Sequence, residues 1–463
     1  MDKRILVINP GSTSTKVAVY DGKMEIFSVN VEHNAEQLRQ CPELLDQYPL
    51  RRDVILETLR ERGIPLVSLS AIAARGGTFG KIKGGGYRIG EKLVADCREP
   101  LTSHPSNLAA VIGYDLGQQL GIPAYIYDAV CTDETDAIAS FTGVKGWKRK
   151  VNSHVLNTRA VCRKLAEEKG KRYEDLNFIV AHLGGGLSLN VHKKGRIVDA
   201  ISDDEGPMSP ERAGGMNAVK LAQRCYSGDY AKDEMLLILK GRGGMVSHLG
   251  TNNMQEVEMR IQAGDSYALE VFEAMAYQVA KGIGSLATVL KGQVDYIILT
   301  GGVAYSERMV NLIEERIAFL APVKVYPGAV EMEALARGIL RILEGKEEAK
   351  EYQGRIKRCK MYRNFDEIIE KAKAMPQKRT IVISAAGDET MMHVAQEVIR
   401  QDLCRVIMVG DAEILESWAA QMEEPNRLEI IDEKDKAVSC LTAASLGERG
   451  QGAGAGEGKC EHQ

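Results

Sequence analysis

The chain has 463 residues, 44% hydrophobic and 27% charged, with a formal net charge of −4. That is the composition of a globular protein of about three domains, and its slight acidity argues against a general nucleic-acid binder. Nine cysteines without a C-x-x-C pair fit reduced thiols in a cytoplasmic protein better than a disulfide framework. No apolar run approaches the ~18 residues of a membrane span, and the short apolar run Ile5–Ile8 reads as a first strand, not a signal peptide.

In chain order, Ile5–Ile8 ends in Asn9-Pro10-Gly11-Ser12-Thr13-Ser14 and a β-branched run, Lys16–Tyr20, follows, closed by Asp21-Gly22. The pattern predicts strand, polar turn, strand. Small hydroxyl residues, a glycine and a nearby lysine are the groups that converge on a phosphate, although the spacing is not that of a P-loop. Apolar spacing predicts helices over Glu36–Leu45, Leu50–Arg62, Asn107–Leu120 and Val155–Lys169, with strands at Ser70–Ala74 and Ala124–Tyr127 between them. The latter delivers Asp128 at its end.

The stretch Asn177–Ile201 repeats the opening pattern: an apolar strand into His182-Leu183-Gly184-Gly185-Gly186, then two further strands joined at Lys193-Lys194-Gly195. Two such hairpins predict two related halves facing each other. A third element, Tyr296–Leu299 into Thr300-Gly301-Gly302 and a helix around Arg308–Phe319, suits a nucleotide. Gly282-Ile283-Gly284-Ser285-Leu286-Ala287 matches a dinucleotide fingerprint only on paper, since it sits in a helical pattern with no strand before it. Phosphate turns around a cleft point to phosphoryl transfer, which depends on positioning and on neutralising charge.

From Met1 to about Gly345 the chain resembles the butyrate kinases of the acetate kinase family, on five motifs in order: INPGSTSTK, HLGGGLSLNVHKKGRIVDA, DEGPMSPERAGG, TGGVAYS and EMEALARG. The resemblance implies a two-domain, duplicated ribonuclease-H-like α/β fold of the acetate and sugar kinase, chaperone and actin superfamily. It implies ATP and Mg2+ between the domains, butyrate as acceptor, and a homodimer or higher oligomer. Carried over residue by residue, it implies that Asn9 orients a phosphate and helps hold Mg2+, beside Ser12, Ser14 and Lys16 of the same turn. His104 borders the acyl-phosphate site, Asp128 faces the substrate, and His154 stabilises the transferring phosphoryl group. His182 opens the second phosphate turn, Gly184, Gly185 and Gly186; Gly301 and Gly302 form the third. Arg212 grips carboxylate or phosphoryl oxygens, and Glu331 or Glu333 lies near Mg2+. Arg75 is a candidate for a family arginine or histidine at the substrate. A carboxylate acceptor is already ionised near pH 7 and needs no general base. Asp128 therefore has a better role orienting His154 or Arg75, or holding a metal-bound water.

The expected domains are residues 1–155 and 156–345, with the last helix, 331–345, free to pack back on the first. A charged linker, 346–361, comes next. Residues 362–437 resemble the opening part of a phosphate butyryltransferase, on FDEIIEKAK, IVISAAGDE and VIMVGDAEIL. A full member of that family is several times longer, so no transferase activity is expected of the segment. Residues 438–463 read as a disordered tail. The reading is a Mg-ATP-dependent, reversible butyrate kinase, a phosphotransferase with a carboxyl acceptor, functionally linked to the transferase and free of nucleic acid and membrane. The alternatives are a preference for acetate, propionate or a branched acid, an actin- or chaperone-like ATPase, and an inactive remnant.

Overall fold

The computed structural model describes residues 3–443 apart from 42, 150, 152, 356–368, 371, 375–379, 385–388, 423, 436 and 437. The chain forms two compact units, Met1–Arg355 and Ile356–Gln463. The first begins with β1 (Arg4–Pro10), β2 (Ser14–Asp21) and β3 (Met24–Glu32), then α1 (Tyr48–Glu61), β4 (Ala71–Ala74) and β5 (Gly86–Arg88). Next come α2 (Ser106–Leu120), β6 (Ala124–Tyr127), α3 (Val155–Glu168), β7 (Asn177–Leu183), β8 (Leu187–Lys193) and β9 (Arg196–Ile201). It closes with α4 (Ser266–Ala287), β10 (Tyr296–Gly301), α5 (Glu307–Ile317), β11 (Val323–Pro327), α6 (Glu331–Leu343) and β12 (Lys350–Glu351).

Two sheets result, ordered β12-β5-β6-β4-β1-β2-β3 and β11-β10-β7-β8-β9. In each, an antiparallel three-strand meander has parallel strands added beside its first strand. The repeat extends to detail, because each meander carries a register shift late in its second strand, at Val19/Tyr20 and at Val191/His192. The duplicated α/β architecture expected from the two hairpins is present.

Alternation along the strands decides what covers each face. Leu6, Ile8, Val17 and Val19 pack with α1 and α2, whereas Ile5, Val7, Ala18 and Tyr20 pack with Leu335, Ile339 and Leu340 of α6. Ile179, Ala181 and Leu183 pack against α4 and α5, and Phe178 and Val180 against Val161, Cys162 and Leu165 of α3. Burial on both faces is why β1 and β7 read as nearly unbroken apolar runs. Helices α3 and α6 contact each other between the sheets, α3 on β7 and β10, α6 on β1, β4 and β6. Gly338 of α6 permits this approach, since a Cβ there would lie 2.6 Å from the Tyr127 ring.

Several expectations need correction. The helix expected over Glu36–Leu45 is only Ala35–Arg39, followed by a 3₁₀ turn at Leu44–Gln47; Pro42 lies between them and lacks the N–H a helix interior requires. Part of the expected charged linker is built into the first unit. Lys350 and Glu351 pair with Tyr87 and Arg88. The Tyr352 hydroxyl donates to Asp96 Oδ2 at 2.7 Å, and Arg355 donates to the same carboxylate from its backbone N at 2.8 Å and from Nε at 3.0 Å. Lys350 and Glu351 leave their side chains exposed while their backbone completes the sheet, so charge density alone misleads.

The second unit is a parallel three-stranded sheet, β13 (Thr380–Ser384), β14 (Arg405–Gly410) and β15 (Leu428–Asp432), with helices α7 (Glu389–Arg400) and α8 (Ala412–Ala419). Of the helix expected at Phe365–Ala374, residues 365–368 and 371 lie outside the described residues, and 369, 370, 372 and 373 are helical. The expected tail begins later than 438, because Ser439 is buried and its hydroxyl donates to the Val409 carbonyl at 2.8 Å; residues 444–463 lie outside the described residues. Among the described residues no helix is long and apolar enough to cross a membrane.

The docking of residues 350–355 makes a sharp prediction. A chain ending at Arg355 should melt like the first unit of the full protein. One ending at Gly345 strips the three bonds from Asp96 and should lose about 1–3 kcal/mol. Denaturant unfolding of the two truncations measures the difference, and equal midpoints would show that the segment contributes nothing.

Candidate active site

The first turn is shaped by cross-strand register and by one buried cation. Asn9 pairs with Lys16 across β1 and β2, which puts both side chains on one face of the sheet. Asn9 is buried, and its Nδ2 donates to Glu331 Oε2 at 2.9 Å. Ser12 is exposed and Ser14 half-buried. Behind the turn lies Arg51 of α1, fully buried. Its Nη1 donates to the Ser14 carbonyl (2.9 Å) and Thr15 Oγ1 (3.0 Å), its Nη2 to the Ser12 carbonyl (3.2 Å), and both Nε and Nη2 to Gln47 Oε1. The turn's carbonyl oxygens are thus satisfied from the rear.

The second turn is built differently. His182 ends β7 beside Ser188 of β8 and Thr300 of β10. The backbone N–H of Val330 can only donate, and it donates to Asn157 Oδ1 at 2.9 Å. That fixes the Asn157 amide, whose Nδ2 then donates to His182 Nδ1 (2.9 Å) and Thr300 Oγ1 (3.3 Å). A neutral His182 with Nδ1 as acceptor carries its proton on Nε2. This donor lies by the glycine turn, 3.4 Å from where a Gly184 Cβ would sit. Ser209 Oγ and the Glu211 N–H both donate to the Gly185 carbonyl, at 2.6 and 3.1 Å. Gly301, at φ 92°, closes against Leu183, where a Cβ would come within 2.3 Å of a carbonyl oxygen. Gly302 opens a 3₁₀ turn to Tyr305, and α5 starts only after Ser306 caps it.

His154 leads into α3 and packs on the second turn. Its ring stacks on His182 with centroids 3.9 Å apart, and its Nδ1 hydrogen-bonds Ser188 Oγ at 2.8 Å. Burial lowers its pKa; Glu331 and Asp203 oppose that shift, while Arg75 and Arg212 reinforce it. The fields of four charged side chains from four segments therefore reach this ring. Burial, with the neighbouring Arg75, also lowers His104, whose Nδ1 accepts the Ser106 N–H at 3.2 Å. His182 falls well below the usual histidine value through burial and the adjacent His154. Arg212 Nε lies 3.3 Å from Asp203 Oδ2.

Two expected residues are placed elsewhere. Asp128 is buried with φ 42°, and its Oδ1 accepts from Gly85 N (2.8 Å) and Arg159 Nη1 (2.6 Å). Its side chain is thus turned inward to Arg159, while its backbone carbonyl accepts from Arg75 Nη1 at 2.8 Å. Glu333 pairs with Arg337 Nε at 2.7 Å, so Glu331 is the helix carboxylate that joins Asn9. Sequence reading missed Arg51, Asn157, Arg159, Ser188 and Asp203. Only Arg51 left a signal, as a cation on the apolar Arg51-Ile55-Leu59 stripe of α1.

Residues 141–327 match the acetokinase family. That region holds His154, His182, Arg212 and both glycine turns, whereas Asn9, Arg75, His104, Asp128 and Glu331 lie outside it. Among solved structures, acetate kinase from Porphyromonas gingivalis is 18% identical over 74% of this chain and 100% of its own, with a TM-score of 0.62. Propionate kinase from Francisella tularensis subsp. tularensis is 18% identical over 73% and 98%, TM-score 0.58. Acetate kinase from Entamoeba histolytica is 16% identical over 73% and 98%, TM-score 0.59. At these identities the likeness carries the mixed α/β two-domain fold.

Two outcomes are expected. Arg51→Lys replaces a fork by a single ammonium that cannot serve four acceptors, and should cost about 1–3 kcal/mol in urea unfolding. His182 stays neutral in the fold, whereas an unfolded histidine takes up a proton near pH 6.5. Stability should therefore fall as pH drops below about 6.5, by up to ~1.4 kcal/mol per unit for this group. His182→Gln should flatten that slope between pH 7 and 5; an unchanged slope would assign the effect to other groups.

Proposed function

We propose that the chain is a carboxylate kinase that transfers the γ-phosphoryl group of ATP to a short-chain acid, butyrate, reversibly. The observation that carries the proposal is the His154–His182 stack against the second glycine turn, together with the bond that ties Asn9 of the first turn to Glu331. The acceptor oxygen is anionic near neutral pH, so the obstacle is charge repulsion and not proton removal. Arg75 and Arg212 supply fixed positive charge, and Lys16 adds to it from the face it shares with Asn9. His182 contributes an N–H beside the glycine turn. Cationic and hydrogen-bond clamps of this kind contribute several orders of magnitude in rate.

Magnesium fits this donor set. Mg2+ usually takes one or two protein oxygen ligands and fills the remainder with phosphate and water. Glu331 with the amide oxygen of Asn9 is such a set, and the ion would neutralise charge on the transferring phosphate. Asp128 acts indirectly: Arg159 and Gly85 N hold it, and its carbonyl holds Arg75.

The acid is proposed from the sequence motifs. The named structural relatives act on acetate and propionate, and one methylene is worth only about 1–3 kcal/mol in a pocket. The second unit is proposed to be related to the opening part of a phosphate butyryltransferase, and the kinase to be a homo-oligomer.

Hydroxylamine trapping of acyl phosphate from ATP, Mg2+ and each C2–C5 acid, isobutyrate included, tests the reaction. Butyryl hydroxamate should form fastest, and Asn9→Ala should lower turnover about a hundredfold, in the range of lost electrostatic groups at transition states, without matching loss of folding stability. ATP hydrolysis with no hydroxamate from any acid would sink the proposal.

A further inference from the structure

Residues two apart on an α-helix point about 200° apart, so Glu331 faces the cleft and Glu333 the other side of α6. On that other side, α3 and α6 enclose a cavity of about 60 Å3 over Tyr127, lined by Arg159, Arg163, Lys164, Arg337 and Arg341. Five cations meet three carboxylates there, Asp128, Glu167 and Glu333. Asp128 is taken by Arg159, Glu333 by Arg337, and Glu167 lies 3.3 Å from Lys23 and 3.8 Å from Arg337. Among the described residues, Arg163 lies 3.9 Å from Glu174 and over the Tyr173 ring, and Lys164 sits over the Tyr326 ring. Arg159 also pairs with Glu134 at 2.6 Å and Arg341 with Glu347 at 3.2 Å, so Arg163 and Lys164 are the lining cations held most loosely.

A second observation points the same way. Arg159 is 3% exposed, yet its Nε is buried without a hydrogen-bond partner, and the Nε of Arg163 is in the same condition. Buried donors are nearly always satisfied, and three guanidinium Nε groups lining one small cavity, those of Arg159, Arg163 and Arg337, make no hydrogen bond and ask for a shared acceptor. A tetrahedral oxyanion offers several. The volume admits one such group and excludes a nucleotide.

We propose that this cavity binds a phosphate-type dianion, as free phosphate or as the phosphoryl end of a small monoester, and that the bound anion ties α3 to α6. Helix α3 rides on the second sheet and α6 on the first, so the anion bridges the two halves of the duplicated fold. It also touches the residue that fixes Asp128, whose carbonyl holds Arg75. The inference stands whatever the acceptor acid, and it does not require phosphoryl transfer.

Inorganic phosphate and methyl phosphate, titrated into the full chain by calorimetry and by thermal unfolding, test it. Either should bind and raise the melting temperature; the tighter one identifies the source. Arg163→Gln with Lys164→Gln should weaken binding at least tenfold, while Asn9→Ala, in the cleft, should leave it intact. Lys164→Gln alone, at an exposed position, gives a smaller loss in the same direction should the double variant not fold. The proposal is overturned if neither anion binds the wild-type chain, if the substituted cavity binds as well as the native one, or if Asn9→Ala alone abolishes binding.

Discussion

A turn that presents N–H groups to an anion must have its carbonyl oxygens satisfied on the opposite side, because buried backbone acceptors cannot be left unmade. That requirement shapes both halves of the molecule. In the first half a single guanidinium does it: Arg51 reaches over from α1 and takes the carbonyls of Ser12 and Ser14. In the second half a loop does it, through Ser209 and the Glu211 N–H on Gly185. The strand orders and even the register shifts are common to the halves, but the solutions differ. The constraint is imposed by the turn, and each sequence meets it with what its own flanking segment offers. Arg51 has the further property of placing a full positive charge behind the turn with neutral acceptors as its hydrogen-bond partners. A desolvated cation without a matching carboxylate is costly, and an anion in front of the turn lowers that cost.

The second constraint is the buried set Arg159, Asp128 and Glu134, with both ion pairs at 2.6 Å. Glycine is required around it, since a Cβ on Gly84 would fall 1.6 Å from Arg159 Nη1. Removing one member of such a set leaves a buried uncompensated charge, which typically costs about 3–5 kcal/mol. The set therefore tells more about geometry than about net stability. It pins Asp128 in a left-handed conformation and aims its carbonyl at Arg75, whose field reaches His104 and His154. An aspartate at a strand end is easily read as facing a substrate. Here its main chain does the positioning while its side chain faces inward.

Much of the fold was legible because its signals are local. Strands β1 and β7 are apolar on both faces, their turns hold glycine and hydroxyl residues, and the same order recurs in both halves. The failures are those of local reasoning. The charged run 346–355 reads as solvated linker, and only the partner strand β5 and the distant Asp96 reveal that it belongs to the sheet. The missed site residues share this character. Asn157 matters because Val330, far along the chain, fixes its amide; Ser188 matters because His154 reaches it; Arg159 matters because Asp128 and Glu134 meet on it. None of these pairings leaves a spacing to find. Glu331 and Glu333 were indistinguishable in sequence and became distinct once helical geometry put them on opposite sides of α6.

The histidines complete the electrical picture. Burial keeps His154, His182 and His104 below the ordinary histidine range, so near neutral pH they act as neutral hydrogen-bonding rings and not as cations. The positive charge of the cleft then comes from Arg75, Arg212 and Lys16. This division suits an acceptor that is itself a carboxylate. Protonated histidines would bind the resting anions as tightly as the transferring group and would gain nothing for the reaction, whereas directed N–H groups favour the position where charge develops. The stacking of His154 on His182 is compatible with the same state, since two imidazolium rings 3.9 Å apart would repel each other.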